Sequence, residues 1–247
     1  MSGRLWVIGD IHGYSLALSR LLERIDPGKD DTIVTLGDYI DRGPDSAGVL
    51  AALLELEKTC RLAALRGNHE DILLEVLRQE ERPSESSQSS ARKGFLHFFR
   101  QNKERPRFTL EDWLSYGGRQ TLSSYDIFER KVSLLPKEHL DFIRRTRLYF
   151  ETERYIFTHA AYVPELPLSD QPKDALLFYK LQLGIPAEHC SSRRAYVGHS
   201  AQHTGEILDA GHLVCLDTYL YGGGWLTAME PDTGKILQVD SSGRFRS

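Results

Sequence analysis

The 247-residue sequence predicts a layered α/β fold, and a recurring pattern in it supports this prediction. Five short apolar runs each end in a cluster of Gly, Asp, His or Asn. Runs that are this short and apolar on both faces are typical of strands buried inside a sheet. The five predicted strands are residues 5–8, 33–36, 62–65, 155–157 and 196–197.

Segments with helical spacing separate the first three strands. Apolar residues recur at intervals of three or four in 18–25, 49–54 and 72–77, which predicts a βαβαβα arrangement. Residues 134–143 have the pattern of a further helix. The last third returns to short apolar runs separated by turn residues, which predicts strands at 206–208, 213–216, 225–228 and 235–237.

We predict a single domain of residues 1–247 that contains an insertion. Residues 80–93 are too polar to form core, which predicts a mobile loop. The short aromatic-rich helical stretches that follow contain Phe95, Phe98, Phe99 and Trp113. Together, residues 80–150 are predicted to form a loop and a small helical cap beside the main sheet.

Composition argues against several classes of protein. A formal net charge of -4 with 27% charged residues gives no indication of nucleic-acid binding. Eighteen apolar residues never run together, so we expect no membrane segment. Cys60, Cys190 and Cys215 are scattered and odd in number, as is typical of reduced thiols. We therefore expect a cytoplasmic protein.

Polar side chains follow the strands where a ligand site is expected. The carboxyl ends of strands in an open α/β sheet border the ligand crevice, so these side chains should converge. Asp10 and His12 are two residues apart at a strand end, where alternation would place both on one face. Asp38 has two carboxylate oxygens and could bridge two ions. The side chains that could complete the second ion's shell are Asn68, His159 and His199.

This ligand set predicts two divalent metal ions as cofactors. Oxygen and imidazole ligands without a thiolate suit Mn, Fe, Zn or Co better than Ca or a structural zinc. Two such ions would outweigh the charge of two aspartates, so the site would attract a phosphate dianion. A water between the ions would have its pKa lowered toward about 7, which supplies hydroxide for attack on phosphorus. The prediction is a metal-dependent phosphoester hydrolase.

An acid is also needed, because the leaving alkoxide must be protonated. His69 follows Asn68 directly and is placed to donate that proton. Asp41 could hold the ring and raise the pKa of His69 through a hydrogen bond. We predict that His69 and Asp41 act as a pair.

Two arginines flank the same clusters. Arg42 and Arg66 could each form bidentate contacts with phosphate oxygens. The structural alternatives are that Arg42 anchors its loop through Asp45 and that Arg66 pairs with Glu70.

The polar clusters form a series of short motifs. The motifs are Gly-Asp-Ile-His-Gly at 9–13, Gly-Asp-Tyr-Ile-Asp-Arg-Gly at 37–43, Gly-Asn-His-Glu at 67–70, Trp-Leu-Ser-Tyr-Gly-Gly at 113–118, Thr-His-Ala at 158–160 and Gly-His-Ser at 198–200. They resemble the signatures of the phosphoprotein phosphatase family, within the calcineurin-like metallophosphoesterases. The motif at 113–118 resembles a Trp-x-x-x-Gly-Gly stretch of the bacterial members.

The resemblance implies an αββα metallophosphoesterase sandwich of two mixed sheets with a small helical cap insertion. It implies one metal bound by Asp10, His12 and Asp38, and a second bound by Asp38, Asn68, His159 and His199. It likewise assigns Asp41 with His69 to the acid pair, and Arg42 and Arg66 to the phosphate.

Two segments depart from the bacterial pattern. Residues 176–180 read Leu-Leu-Phe-Tyr-Lys where Leu-Leu-Trp-x-Arg is usual. Lys180 keeps the positive charge without the bidentate fork, and it is a candidate phosphate-binding residue. Residues 217–223 resemble Asp-Thr-Gly-x-x-Tyr-Gly-Gly, but Tyr221 is out of register by one position, and no role is predicted for it.

We predict a bacterial-type serine/threonine protein phosphatase that uses Mn and acts on a phosphorylated protein partner, with phosphotyrosine as a further substrate. One alternative is a bis(5'-nucleosyl)-tetraphosphatase-like hydrolase, which residues 42–46 resemble. That group typically carries Gln at the position of His12 and lacks the acid at Asp41. The other alternative is a non-catalytic scaffold of the same fold, which the presence of all six ligands and His69 argues against.

Overall fold

A computed structural model describes residues 3–81 and 107–247, over which the chain forms seven α-helices and eleven strands. The helices are α1 (Ser15–Ile25), α2 (Ser46–Thr59), α3 (Asn68–Glu80), α4 (Leu110–Trp113), α5 (Arg119–Ser124), α6 (Lys137–Arg145) and α7 (Lys173–Phe178). The strands are β1 (Leu5–Ile8), β2 (Thr32–Thr35), β3 (Arg61–Ala64), β4 (Tyr149–Glu151), β5 (Tyr155–Thr158), β6 (Arg194–Val197), β7 (Leu208–Asp209), β8 (Leu213–Cys215), β9 (Asp217–Thr218), β10 (Trp225–Glu230) and β11 (Lys235–Val239).

Most predicted elements are confirmed. The five strands that precede polar clusters are β1, β2, β3, β5 and β6, and the three helices between and after the first strands are α1, α2 and α3. The helix predicted at 134–143 is α6, preceded by a 3-10 turn at Val132–Leu134. The short strands β4 and β9 were not predicted. Residues 82–93 of the predicted loop, together with Phe95, Phe98 and Phe99, lie outside the described residues.

The strands form two mixed sheets. The first has the order β11-β10-β1-β2-β3, with β9 also pairing to β10. Its β1, β2 and β3 are parallel, whereas β10 runs antiparallel to β1. The second has the order β4-β5-β6-β8-β7, in which β5, β6 and β8 are parallel. Parallel strands of both sheets therefore carry the predicted site residues at their carboxyl ends.

The sheets pack face to face. Val7 and Val34 of the first sheet meet Phe157, Tyr196 and Val214 of the second in a buried cluster between them. The other face of the first sheet is covered by helices, whereas the other face of the second packs against residues that include Leu168 and Leu181 of two short 3-10 turns. The predicted α/β class, with two mixed sheets and helices outside, is confirmed.

The described part of the predicted insertion packs on the main helical layer. Trp113, Leu122, Phe142 and Ile143 are buried in the same cluster as the apolar faces of α1, α2 and α3. The division into one domain with an insertion at 80–150 stays a prediction. Among the described residues, no helix combines the length and apolarity needed to cross a membrane.

Candidate metal centre

Most of the predicted site residues lie in the loops that follow β1, β2, β3, β5 and β6. Asn68 and His69 begin α3, and Lys180 follows α7. Five of the predicted site residues have left-handed backbone, namely His12 (φ 47°), Asp38 (φ 51°), Asp41 (φ 72°), Arg42 (φ 67°) and His199 (φ 62°). Such conformations are uncommon without glycine and concentrate at functional sites. The expectation that strand alternation aligns Asp10 with His12 is wrong, because β1 ends at Ile8 and His12 lies in a left-handed turn.

Asp38 lies between two groups of imidazoles. Its Oδ2 is 3.5 Å from Nε2 of His12 and 3.9 Å from Nε2 of His69, and its Oδ1 is 3.5 Å from Nε2 of His159. Burial alone would raise the pKa of Asp38, but the surrounding imidazoles, His159 foremost, lower it below the usual range. Each carboxylate oxygen thus faces different imidazoles, as expected of a carboxylate that bridges two ions.

Backbone carbonyls orient two of these imidazoles. Nδ1 of His12 lies 3.1 Å from the carbonyl oxygen of Ile40, and Nδ1 of His159 lies 2.8 Å from that of Leu36. A proton on each Nδ1 satisfies these contacts and leaves the Nε2 lone pair directed at Asp38. Burial lowers the pKa of both histidines, which favours the neutral form that binds metals.

Asn68 and His199 join His159 on the other side of Asp38. Oδ1 of Asn68 is 3.0 Å from Nε2 of His159 and 2.9 Å from Nδ1 of His199. Burial lowers the pKa of His199 to about 3. Its Nε2 is buried and has no hydrogen-bond partner within 3–81 and 107–247. An amide oxygen and neutral imidazoles that face one point are a donor set suited to a divalent ion.

The spacing of the donor atoms fits two ions. His12, Asp38 and His69 form one group and Asp38, His159 and His199 form another, and within each group the donor atoms lie within 4.8 Å of one another. Ligands about 2 Å from a common ion have separations of this order. The first group contains His69 where the prediction has Asp10, so the coordination by Asp10 stays a prediction.

Asp10 belongs to a concentration of buried negative charge. Its Oδ2 and Oδ1 accept hydrogen bonds of 3.0 and 3.2 Å from the backbone N–H of His199. Burial, followed by the charges of Asp217 and Asp38, raises the pKa of Asp10, and burial raises the pKa of Asp217 to about 6. Cations bound here would lower the pKa of both carboxyl groups, because an opposite charge stabilises the ionised form. Sequence reasoning assigned no role to Asp217, although it directly follows the apolar run at 213–216.

The structure brings the predicted acid pair together. Nδ1 of His69 lies 2.7 Å from Oδ2 of Asp41, and both side chains are buried. Burial alone would lower the pKa of His69, but the charge of Asp38 and the hydrogen bond to Asp41 raise it overall. A raised pKa favours the protonated ring, which is the form that a general acid needs.

Arg42 lies at the cavity, held by an aromatic ring. Its guanidinium is 4.0 Å from the ring centroid of Tyr221, and its Nη1 is 3.1 Å from Nε2 of His12. Tyr221, to which no role was assigned, therefore supports Arg42 through a cation–π contact. Asp45, the alternative partner of Arg42, instead caps α2 by accepting a 2.8 Å hydrogen bond from Gly48 N–H.

Lys180 lines the same cavity, whereas Arg66 does not. The Nε of Arg66 donates to Oγ1 of Thr146 at 3.1 Å, its Nη2 donates to the carbonyl oxygen of Arg144 at 2.9 Å, and its Nη1 is 3.7 Å from Asp71 Oδ1. The predicted phosphate contact of Arg66 thus stays a prediction that would require the guanidinium to leave these partners.

Glu70 supports the turn that carries Asp38. Its carboxylate accepts hydrogen bonds from the backbone N–H groups of Asp38 (2.9 Å), Tyr39 (2.8 Å) and Gly67 (2.9 Å). The side chain is fully buried. Sequence reasoning considered Glu70 only as a partner of Arg66 and missed this role, because an Asn-His-Glu motif does not reveal which backbone groups it meets.

We expect Glu70→Gln to weaken both the fold and metal binding. The amide offers one acceptor oxygen and turns an NH2 group toward backbone donors, and each buried N–H left unpaired costs about 1–3 kcal/mol. Urea unfolding should show a lower free energy of unfolding, and metal titration a lower affinity. Glu23→Gln, a change in an exposed residue of α1, should alter neither. Wild-type values for Glu70→Gln would contradict the assignment.

A cavity of about 530 Å³ opens over the cluster. Its polar wall includes Asp10, His12, Asn68 and His69, and its other walls include Phe108, Tyr116 and Phe178. A phosphate group on the polar wall would meet the positive charge of Arg42 and Lys180. The arrangement can bind a phosphoester, hold cations beside it and deliver a proton from one side.

Comparisons with known sequences agree with this geometry. Residues 3–215 match the family model described as calcineurin-like phosphoesterase. Serine/threonine-protein phosphatase 1 of Salmonella typhimurium is 52% identical over 74 residues, which are 29% of this chain and 32% of that protein. The symmetrical bis(5'-nucleosyl)-tetraphosphatase of Paracidovorax citrulli is 43% identical over 82 residues, which are 32% of this chain and 28% of that protein. The matched segments thus span about a third of these relatives.

A solved structure supports the fold. The crystal structure of a provisionally assigned diadenosine tetraphosphatase superposes with a TM-score of 0.67, covering 97% of this chain and 94% of that chain. Sequence identity is 19%, so the likeness concerns architecture.

Proposed function

Since the chain belongs to the calcineurin-like phosphoesterase family, we propose that it is a hydrolytic metallophosphatase whose substrates are phosphoserine and phosphothreonine monoesters in proteins. The observation that carries the proposal is the position of Asp38 between two imidazole groups, next to the hydrogen-bonded pair of His69 and Asp41. A carboxylate that could be shared by two ions, beside a proton donor, would suit hydrolysis of an ester with a poor leaving group.

Six residues would hold the two metal ions. One ion would bind Asp10, His12 and Asp38, and the other would bind Asp38, Asn68, His159 and His199. We propose Mn as the native metal, and the oxygen and imidazole donors also suit Fe, Zn or Co. When bound, such a pair of ions supplies a nucleophile at neutral pH and offsets the charge of the phosphate.

The side chains of the protein would bind the substrate and move one proton. Arg42 and Lys180 attract the phosphate oxygens and orient the ester above the cluster. His69 donates its Nε2 proton to the alkoxide oxygen as the bond from phosphorus to that oxygen breaks. Asp41 holds the opposite nitrogen of the ring, so the proton available to the substrate is the one on Nε2.

Two features favour a phosphorylated protein over a dinucleoside tetraphosphate. An imidazole at His12 and the 2.7 Å contact between Asp41 and His69 match the phosphatase pattern, and both differ from the pattern expected of tetraphosphatases. The relatives include proteins named for each activity, so substrate choice is the point to test. The free thiols of Cys60, Cys190 and Cys215 support our proposal that the protein acts in the cytoplasm.

Steady-state kinetics on a phosphoserine peptide and on diadenosine tetraphosphate would test the proposal. We expect hydrolysis of the phosphopeptide with the higher kcat/KM, loss of activity after chelation and recovery when Mn is added. Preference for diadenosine tetraphosphate would support the alternative hydrolase. Stoichiometric metal without hydrolysis of any phosphoester would support the non-catalytic scaffold.

A further inference from the structure

We propose that Trp113 and Thr121 are positioning residues that fix Asp41, and through it His69, in the orientation needed for proton donation. This inference rests on the proposed function of the acid pair. It also gives a purpose to the Trp-x-x-x-Gly-Gly motif at 113–118, which no metal or phosphate contact explains.

The carboxylate of Asp41 is held at both oxygens. Oδ2 accepts a 3.1 Å hydrogen bond from Nε1 of Trp113 in addition to its 2.7 Å contact with Nδ1 of His69. Oδ1 accepts a 2.6 Å hydrogen bond from Oγ1 of Thr121. The side chains of all four residues are buried, so water does not compete for these groups. The carboxylate therefore cannot rotate without leaving buried hydrogen-bonding groups unpaired, which is unfavourable.

The backbone of Asp41 is held as well. Its N–H lies 2.9 Å from Oγ1 of Thr121 and 3.1 Å from Oγ of Ser46, and the two hydroxyl oxygens are 3.1 Å apart. Asp41 has a left-handed φ of 72°, a conformation that surrounding contacts must maintain. Thr121 thus contacts both the main chain and the side chain of the residue it positions.

The two glycines of the motif let this arrangement form. Gly117 has φ 118°, and a Cβ there would lie 2.5 Å from the backbone nitrogen of Arg42. A Cβ on Gly118 would lie 2.4 Å from the ring of Trp113. The helical turn at Leu114–Gly118 therefore packs its backbone closely against Arg42. It also places the indole of Trp113 where Nε1–H donates to the carboxylate of Asp41.

This positioning should matter most for esters with poor leaving groups. An alkoxide needs a proton from Nε2 of His69 as the ester bond breaks, whereas a p-nitrophenolate departs without one. If Asp41 turns away, His69 loses its orientation while the metal-binding side chains keep their own contacts. The two classes of substrate should then respond differently.

Trp113→Phe and Thr121→Val test this inference, with Trp6→Phe as a matched control. Trp6 is also a fully buried tryptophan, and its Nε1 has no partner among the described residues. We expect Trp113→Phe and Thr121→Val to lower kcat for an alkyl phosphomonoester by about 10–100-fold and for p-nitrophenyl phosphate by less than about 3-fold. Metal content should stay at the wild-type level, and Thr121→Ser should restore most of the rate.

Equal losses on both substrates, or the same alkyl-specific loss in Trp6→Phe, would overturn the inference. A second readout does not depend on turnover: proton exchange at Nδ1 of His69, followed by NMR, should be slow in the wild type and Trp6→Phe and faster in Trp113→Phe. Unchanged exchange would also overturn it. A wild-type enzyme that hydrolyses no phosphoester would refute the proposed function, and the exchange measurement would still decide the positioning role.

Discussion

Replacement of Asp38 by Asn should abolish turnover and remove both metal ions. The amide keeps one acceptor oxygen but carries no charge, and its NH2 group would donate to Nε2 of His12 or of His159, the lone pair that the metal needs. Both ions would lose a ligand at once, because Asp38 is the residue shared by the two groups. Loss of the several kcal/mol that bound metals contribute predicts a fall in kcat of about 10³-fold or more.

The comparison of three variants makes this test specific. Metal analysis by mass spectrometry and kcat on p-nitrophenyl phosphate would be measured for each. Asp10→Asn should also abolish turnover but lose one ion, since Asp10 is assigned to a single ion. Asp31→Asn, which removes a buried charge that pairs with Arg4, should keep both ions and the activity. Two ions and a near-normal rate in Asp38→Asn would contradict the bridging role.

The residues that carry the chemistry could be predicted because they follow local patterns. Asp10, Asp38 and His159 each follow a short apolar run after one intervening residue, and the carboxyl ends of parallel strands converge whatever the details of the loops. The loop geometry itself could not be predicted. Left-handed backbone at His12 and Asp41 has no local cause in the side chains and is maintained by contacts distant in sequence, such as the one from Thr121 to Asp41.

The contacts that support the site residues were missed because they also join residues that are distant in sequence. Glu70 meets the backbone of Asp38 across 32 positions, and Trp113 meets Asp41 across 72. Periodicity reports which face of an element is buried, but it carries no information about which distant group a buried side chain touches. The pairing of β10 beside β1 is likewise non-local, and β9 has two residues, too few for alternation to be recognised. For Arg66, the motif predicts a contact with phosphate, whereas in the structure its guanidinium donates a hydrogen bond to Thr146.

His69→Asn should lower turnover by about 10²–10⁴-fold, the usual contribution of a general acid, while both metals stay bound. The backbone N–H of residue 69 donates a 3.2 Å hydrogen bond to Oδ1 of Asp38, and this contact survives a change of side chain. What is lost is the proton on Nε2, so the effect should be largest for phosphoserine and smallest for p-nitrophenyl phosphate.

His212→Asn is the matched control for this variant. His212 precedes β8, at the opposite end of that strand from the site, and its Nε2 contacts the carbonyl oxygen of Pro186 at 2.8 Å. The control should therefore keep wild-type rates on both substrates. An unchanged rate of His69→Asn on a phosphoserine peptide would exclude His69 as the acid. A uniform loss on both substrates together with missing metal would instead indicate that the imidazole of His69 is a metal ligand. Its position beside His12 and Asp38 would agree with that role.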